Sequence, residues 1–453
     1  MKQPFLKWGV VLACCLCGAG YLAAQQTDWK AQTHYDKKSS KELLTKRFTK
    51  YVTFDTQTQE SAQIPSTPGQ AKFAKELAKE LKKNGAVNVK VDKHSFVTAE
   101  IPSNLDKPAP TVAFLAHMDT AWEVSGRNVK PQIHANYKGG DILINAEKHL
   151  VLNSSNAPQL ARAIGHDIIT ASGGTLLGAD DKTGIAIIMT MVQYLYDHPS
   201  FSHGPIKIAF TPDEETGNGI SQFDTTAFGA DYAYTVDGGD LGQLTDETFQ
   251  AKSFRVLFEG FRAVHPGQAM NAPFADNVLM ASDFHTLLPR HKRPETTSGR
   301  RGFILVDSIT THEDRTEIKG ILRCFSDEEM QELVQEVTNA FNTVKRMHYK
   351  GKNFELSFAD QYKNMKSVLP QETIRLAEMA MKAENITPQR HAARGGTDGS
   401  QLSFKGLPTP DLFSGQYNIH SQLEYADVDV MEASFRTVLQ LISLWALQPM
   451  PAR

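Results

Sequence analysis

Cysteine is scarce in this 453-residue chain: there are four, and Cys14, Cys15 and Cys17 all fall within the first 24 residues. Beyond them only Cys324 remains, so the body of the protein cannot close an internal disulfide and must draw its stability from core burial, with bound metal as an optional addition. Long hydrophobic runs are also missing. Past residue 24 no stretch approaches the roughly 20 apolar residues of a membrane helix, which argues against stable membrane insertion of the mature chain. Nor is there a basic run: 48 lysines and arginines are scattered among 51 acidic residues for a net charge of −3, so nothing tracks a phosphate backbone and nucleic acid is not an expected partner. Internal repeats and low-complexity stretches are absent too.

What is present begins with "MKQPFLKWGVVLACCLCGAGYLAAQQ", in which Lys2 and Lys7 precede an apolar stretch ending in Ala23 and Ala24. This pattern reads as a signal peptide over residues 1–24, cleaved near Ala24, and it leads us to expect an exported, periplasmic protein. A retained anchor is the weaker alternative, because the apolar run from Trp8 to Ala24 is short for a span and interrupted by glycine.

At this length two domains, or one domain with a large insertion, are expected. The helical spacing of "QAKFAKELAKELKKNG", closed by Gly85, predicts a helix, as does the stretch from Ser40 to Val52. The strands "VNVKV", "TVAFLAHMD", "PIKIAF" and "DYAYTVDGG" alternate with the apolar helix "GADDKTGIAIIMTMVQYLYDHP". Several of them are apolar on both faces, as internal strands of a helix-covered sheet are. After about Gly242 the pattern changes to alternating strands, "KSFRVLFEG", "RGFILVDSITT", "RTEIKGILRCFS" and "NFELSFADQY", with the helical "DEEMQELVQEVTNAFNTVKRM" between them. The expected fold is therefore α/β, a sheet covered by helices on both faces and split over residues 28–245 and 366–453, with an inserted α+β domain over 246–365.

The chemistry gathers at strand ends. "FLAHMDTA" places His117 and Asp119 two apart on one side of a strand, a spacing that suits a metal-bound imidazole oriented by a carboxylate, although a lone strand-end histidine is as readily structural. "TLLGADDKTG" offers Asp180 and Asp181 where the chain enters the buried helix; helix capping and metal bridging both suit that position, and nothing local separates them. "TPDEETGNG" crowds Asp213, Glu214 and Glu215, and like charges side by side call for a compensating cation or shared proton. Adjacent Glu214 and Glu215 point in different directions, so one can bind metal while the other acts as general base. Asp237 ends another apolar strand, and "QYNIHSQLEY" adds His420. Open α/β sheets bind ligands at the carboxyl edge of their strands, so His117, Asp180, Glu215, Asp237 and His420 form a coherent donor set. Mixed nitrogen and oxygen donors without thiolate suit zinc, with cobalt or manganese as alternatives, and two ions about 3.5–4 Å apart are common in sites that hydrolyse acyl bonds.

The order H-x-D, G-A-D-D-K, D-E-E-x-G, V-D-G-G, V-H-P-G, R-G-G-T-D-G-S and Y-N-x-H resembles the peptidase T branch, the tripeptide aminopeptidases, of the co-catalytic zinc metallopeptidases. "TLLGADDKTGIA" and "RGGTDGSQLS" carry the resemblance most specifically, and it extends over nearly the whole mature chain. It implies that two zinc ions are held by His117, Asp180 as the bridge, Glu215, Asp237 and His420, with Asp119 orienting His117 and Glu214 activating a water between the ions. It further implies that His265 stabilises an oxyanion from an inserted lid, that Arg394 binds the terminal carboxylate of a short peptide substrate, and that the inserted domain serves homodimerisation. A dipeptidase, carboxypeptidase or N-acyl amino acid deacylase of the same superfamily is the enzymatic alternative; a peptide-binding protein without catalysis is the other. Two stretches depart from the family pattern, Asp240 after V-D-G-G and Thr120-Ala121-Trp122-Glu123 after "AHMD", and both bear on substrate preference.

Overall fold

The computed structural model describes residues 36–260, 265, 267, 270 and 275–451; the expected signal peptide lies outside them, as does most of the stretch around His265. Among the described residues no helix is long and apolar enough to cross a membrane.

Eight strands form the main sheet, in the order Val87–Val91, Val97–Ile101, Ile206–Thr211, Val112–His117, Tyr232–Gly238, Asp411–Phe413, Gln243–Thr248, Gln389–Ala393. The central three, Ile206–Thr211, Val112–His117 and Tyr232–Gly238, run parallel, so their carboxyl ends share one edge. Residues Val112 to His117 are buried without interruption because both faces of the sheet are covered. Alternate side chains divide between two cores. Val112, Phe114 and Ala116 join the helices on one side, while Ala113 and Leu115 meet Phe223, Phe228 and Leu402 on the other. Burying such side chains fully contributes about 1.5–3 kcal/mol each for the larger ones, which fixes the register of the edge that carries the polar residues.

Three helices pack together on the larger core: Ala179–Asp197, Lys37–Tyr51 and Val428–Ala446. Gly184, in the first of them, lies so close to the central strand that a Cβ there would meet the Val236 carbonyl oxygen at 2.0 Å. A helix with any larger residue at 184 could not bring Asp180 up to Asp237. A small sheet of the strands Gln132–His134, Ile168–Thr170, Tyr425–Asp427 and Gln416–Tyr417 lies beside this layer.

Residues 250–362 build a second, antiparallel sheet in the order Phe303–Thr311, Arg315–Cys324, Gln250–Glu259, Asn353–Tyr362. It has its own core, in which Phe254, Val256, Phe258 and Ile318 pack on the helices Asn277–Leu287 and Asp327–Met347. Cys324 is buried there as a free thiol. Three strands of the main sheet, Gln243–Thr248, Gln389–Ala393 and Asp411–Phe413, arise from segments whose polar or very short sequences give no strand signal.

Candidate active site

The parallel strand ends and two loops bring seven of the sequence-predicted residues together. His117 closes its strand, and its Nε2 lies 2.8 Å from Asp180 Oδ1 and 3.7 Å from Asp237 Oδ1. His420 reaches in from the opposite side, with Nε2 2.9 Å from Glu215 Oε2 and 3.4 Å from Asp180 Oδ2. The two oxygens of Asp180 thus face two separate partner sets, His117 with Asp237 and His420 with Glu215. A carboxylate so placed could serve two cations at once.

Local structure explains each placement. Gly178 has φ +80°, a turn into the helix that a side chain would strain, and the buried Glu424 carboxylate holds that turn by accepting the backbone N–H groups of Leu177, Gly178 and Asp180. Asp180 and Asp181 themselves are non-helical, which projects Asp180 forward. Asp181 turns inward, accepting the N–H groups of His117 and Gly184. Asp213 adopts φ +53°, and its carboxylate binds the Ser66 backbone and the side chains of Ser66, Thr58 and Gln70. That buried anchor shapes the turn in which Glu214 and Glu215 diverge. Asp119 accepts the N–H of Glu214 on Oδ1 and of Glu215 on Oδ2, both at 3.1 Å, so one carboxylate braces two chain segments. Its Oδ1 also stands 3.4 Å from His117 Nδ1, at an angle that makes no hydrogen bond.

The electrostatics are those of a crowded acidic cluster. Burial, together with the neighbouring Asp181 and Asp180, holds the Asp237 carboxyl well above its usual range, and burial and Asp180 push Glu215 up to about 7. Burial opposes ionisation of Asp180 too, but hydrogen bonds from His117 and His420 outweigh it and hold that carboxyl below the usual range. Burial likewise disfavours charge on the two imidazoles, yet the facing carboxylates raise His117 well above its ordinary value and His420 to about 11. The two imidazoles thus face an excess of carboxylates, a balance that divalent cations would complete. Glu215 Oε1 is buried without any hydrogen-bond partner, and the donors are imidazole nitrogens and carboxylate oxygens only. These residues fit divalent ions of the zinc type.

Glu214 stands half-buried on the wall of a cavity of about 720 Å³ that also exposes His117, Asp180, Glu215, Asp237 and His420. Burial, with Asp398, Glu215 and Asp119 nearby, holds its carboxyl well above the ordinary range. His265 and Arg394 are not brought to the cavity wall. His265 is exposed and accepts the Gly267 N–H on Nδ1. Arg394 stacks over Phe249 and Phe303 and donates to the carbonyls of Thr297, Gly299 and Arg301 and to Thr297 Oγ1, so both its terminal nitrogens bind the loop that precedes the Phe303–Thr311 strand.

Four supporting residues escaped sequence reasoning. Gln416 donates to the Asp237 carbonyl at 2.6 Å and to its Oδ1 at 3.0 Å; Asp411 accepts the Asp237 N–H at 2.9 Å; Glu424 holds the Asp180 turn; and Asp398 accepts from Thr211 Oγ1 at 2.7 Å. Asp398 lay in the quoted stretch "RGGTDGS", and Gln416 and Glu424 in "QYNIHSQLEY", where attention went to His420; Asp411 lay in no quoted stretch.

A carboxylate facing two imidazole–carboxylate pairs, at the carboxyl edge of a helix-covered mixed sheet with an inserted α+β unit, is the kind of site that co-catalytic metallopeptidases use. Residues 171–444 match the model of peptidase family M20/M25/M40, and the chain belongs to that family. It is 43% identical over 408 residues to Peptidase T of Geobacillus sp. (strain WCH70), a match spanning 89% of this chain and 99% of that protein. Among solved structures, its fold matches the aminopeptidase PepT of Bacillus cereus ATCC 10987 with a TM-score of 0.69 at 22% identity, covering 90% of this chain and 99% of the other. A tripeptidase from Staphylococcus aureus subsp. aureus mu50 matches with a TM-score of 0.70 at 19% identity, again over 90% and 99% of the two chains.

Proposed function

We propose that this protein is a metal-dependent aminopeptidase that removes the first residue of short peptides, tripeptides foremost, with zinc at both metal positions. The observation that carries the reading is the split of partners across Asp180: His117 and Asp237 on one oxygen, His420 and Glu215 on the other. The similarity to a protein named Peptidase T supports the substrate class. When bound, such a pair of ions supplies Lewis acidity toward the scissile carbonyl and makes water acidic enough to deprotonate near neutral pH. His117, Asp180 and Asp237 would hold one ion and Asp180, Glu215 and His420 the other; cobalt or manganese would suit the same donors.

Glu214 is the proposed general base. Its backbone is fixed by Asp119, its side chain faces the cavity, and its raised pKa suits a group that takes a proton from the attacking water and returns it to the leaving amine. Asp119 keeps His117 and the Glu214–Glu215 turn in register. Closure of the inserted segment would bring His265 to the oxyanion. Arg394, held by the loop at Thr297–Arg301, would reach a substrate carboxylate only after releasing those carbonyls. We assign 28–245 and 366–453 to the catalytic domain and 246–365 to a lid through which two copies pair. We also assign residues 1–24 to a signal peptide that directs export to the periplasm, on the strength of Lys2, Lys7, the apolar run and Ala23-Ala24.

Metal-loaded protein should be incubated with di-, tri- and tetrapeptides and with N-acyl amino acids, and the products identified by mass. Release of the first residue of tripeptides is the expected result. Loss of the last residue, or of an acyl group, would replace the proposal with a carboxypeptidase or a deacylase.

A further inference from the structure

His117 and His420 sit in matching electrostatic settings. Each turns Nε2 toward Asp180, and each has a carboxylate beside Nδ1: Asp119 for His117, and Glu123 for His420, with Oε1 at 3.3 Å. Both carboxylates come from one stretch, His117 to Glu123, that runs off the end of the central strand.

A side chain from another segment helps to hold the stretch at its far end. Gln57 Nε2 lies 3.2–3.4 Å from the carbonyls of Ala121, Trp122 and Val124, and Gln57 Oε1 accepts the Gly126 N–H at 3.4 Å. The Glu123 backbone is thereby fixed between two anchors, the buried Asp119 and the Gln57 amide. His420 needs such help more than His117 does. It stands on a loop with φ +58° and is 32% exposed, against 2% for His117 in the sheet.

We propose that Glu123 is a positioning residue for His420: it accepts the Nδ1 hydrogen, so that Nε2 is left as the lone-pair donor toward the Asp180–Glu215 side of the site. An imidazole whose second nitrogen is tied to a carboxylate keeps its tautomer and its ring orientation, and loss of such a partner typically lowers metal affinity about 10–100-fold. Because His420 serves only one of the two positions, removal of Glu123 weakens one ion and spares the other. Gln57 supports the same contact at one remove, which extends the metal site's dependence to a residue near the end of the Lys37–Tyr51 helix.

The inference rests on the two-ion reading above, and the experiment separates them. Zinc binding to apo protein would be followed by chelator competition in the wild type, Glu123→Ala, Glu123→Gln and Gln57→Ala, with thermal unfolding of each apo variant as the check on folding. Two equivalents in the wild type sustain the site reading; fewer overturn both. In Glu123→Ala one equivalent weakens about 10–100-fold and the other stays within about twofold, while Glu123→Gln, whose amide oxygen still accepts, recovers most of the loss. Long-range 1H–15N spectra of the zinc-loaded wild type show the His420 hydrogen on Nδ1, and Glu123→Ala shifts that Nδ1–H signal. Two unaltered equivalents in Glu123→Ala, an equal loss at both, or an Nε2 hydrogen in the wild type overturns the assignment.

Discussion

The strand Val112–His117 is buried at every position, whereas Arg315–Cys324, in the inserted sheet, alternates between buried and exposed residues along its length. One sheet is covered on both faces and leaves its strand ends as the place where polar side chains can meet; the other has a solvent face and distributes its charges there. Arg255 pairs with Glu317 and Glu355 on that face, and Lys252 with Asp360; Arg255, Glu355 and Asp360 are exposed, and Lys252 and Glu317 partly so. At the ends of the covered strands, by contrast, His117, Asp237 and Glu215 crowd around Asp180, all buried or half-buried. The same residue types therefore do different work. Exposed pairs are screened and contribute little, while buried ones shift each other's protonation and demand a cation.

Four changes test this contrast. The largest effect belongs to Glu214→Gln, which should lower kcat about 10²–10⁴-fold while leaving zinc content at two per chain, measured by steady-state kinetics beside metal analysis. Undiminished turnover would remove Glu214 from the chemistry. Next, Phe258→Ala empties the centre of the inserted core, where the ring packs against Phe284, Phe341 and Phe354. A loss of about 3–5 kcal/mol in that unit is expected, seen as faster hydrogen exchange in residues 250–362 with zinc binding retained. If zinc affinity falls with it, the two sheets are not separable.

The third change is acidification. Glu247, on the Gln243–Thr248 strand of the main sheet, is clasped by Arg300, Lys366 and Asn364. Burial resists its ionisation, but those partners outweigh burial and lower its pKa from 4.5 to about 2. A depressed folded value contributes stability that is complete above the unfolded pKa and disappears as pH falls through the folded one. Denaturation midpoints should therefore drop between about pH 5 and pH 2 more steeply in the wild type than in Glu247→Gln; parallel curves would show that this contact holds nothing. The smallest effect is that of Arg255→Ala, expected within about 0.5 kcal/mol by chemical denaturation, because both of its partners lie on the open face.

Much of the site was legible because strand ends announce themselves. His117, Glu214, Glu215 and Asp237 each follow an apolar run, and Asp180 precedes one, so their common edge could be inferred from pattern and the parallel-sheet rule. Glu424 and Gln416 carry no such signal. Each lies within a few residues of His420 in a stretch without periodicity, and its contact with the Asp180 turn or with Asp237 depends on a separation of more than 170 residues. The fold divides the same way. Long apolar strands and the Ala179–Asp197 helix were visible, but Gln243–Thr248 and Gln389–Ala393 are polar strands at or near the sheet edge, where pairing rather than burial decides the conformation. Arg394 shows the limit of motif reading. Its stretch, "RGGTDGS", is distinctive, yet only the structure reveals that its guanidinium binds the carbonyls of the Thr297–Arg301 loop.

The central claim is that Asp180 bridges two ions, and anomalous scattering at the zinc edge from crystals of zinc-loaded protein tests it most directly. The account predicts two peaks about 3.5–4 Å apart, one on each side of the Asp180 carboxylate, with His117 and Asp237 on the first and His420 and Glu215 on the second. A single peak, or two peaks that do not share Asp180, would contradict it.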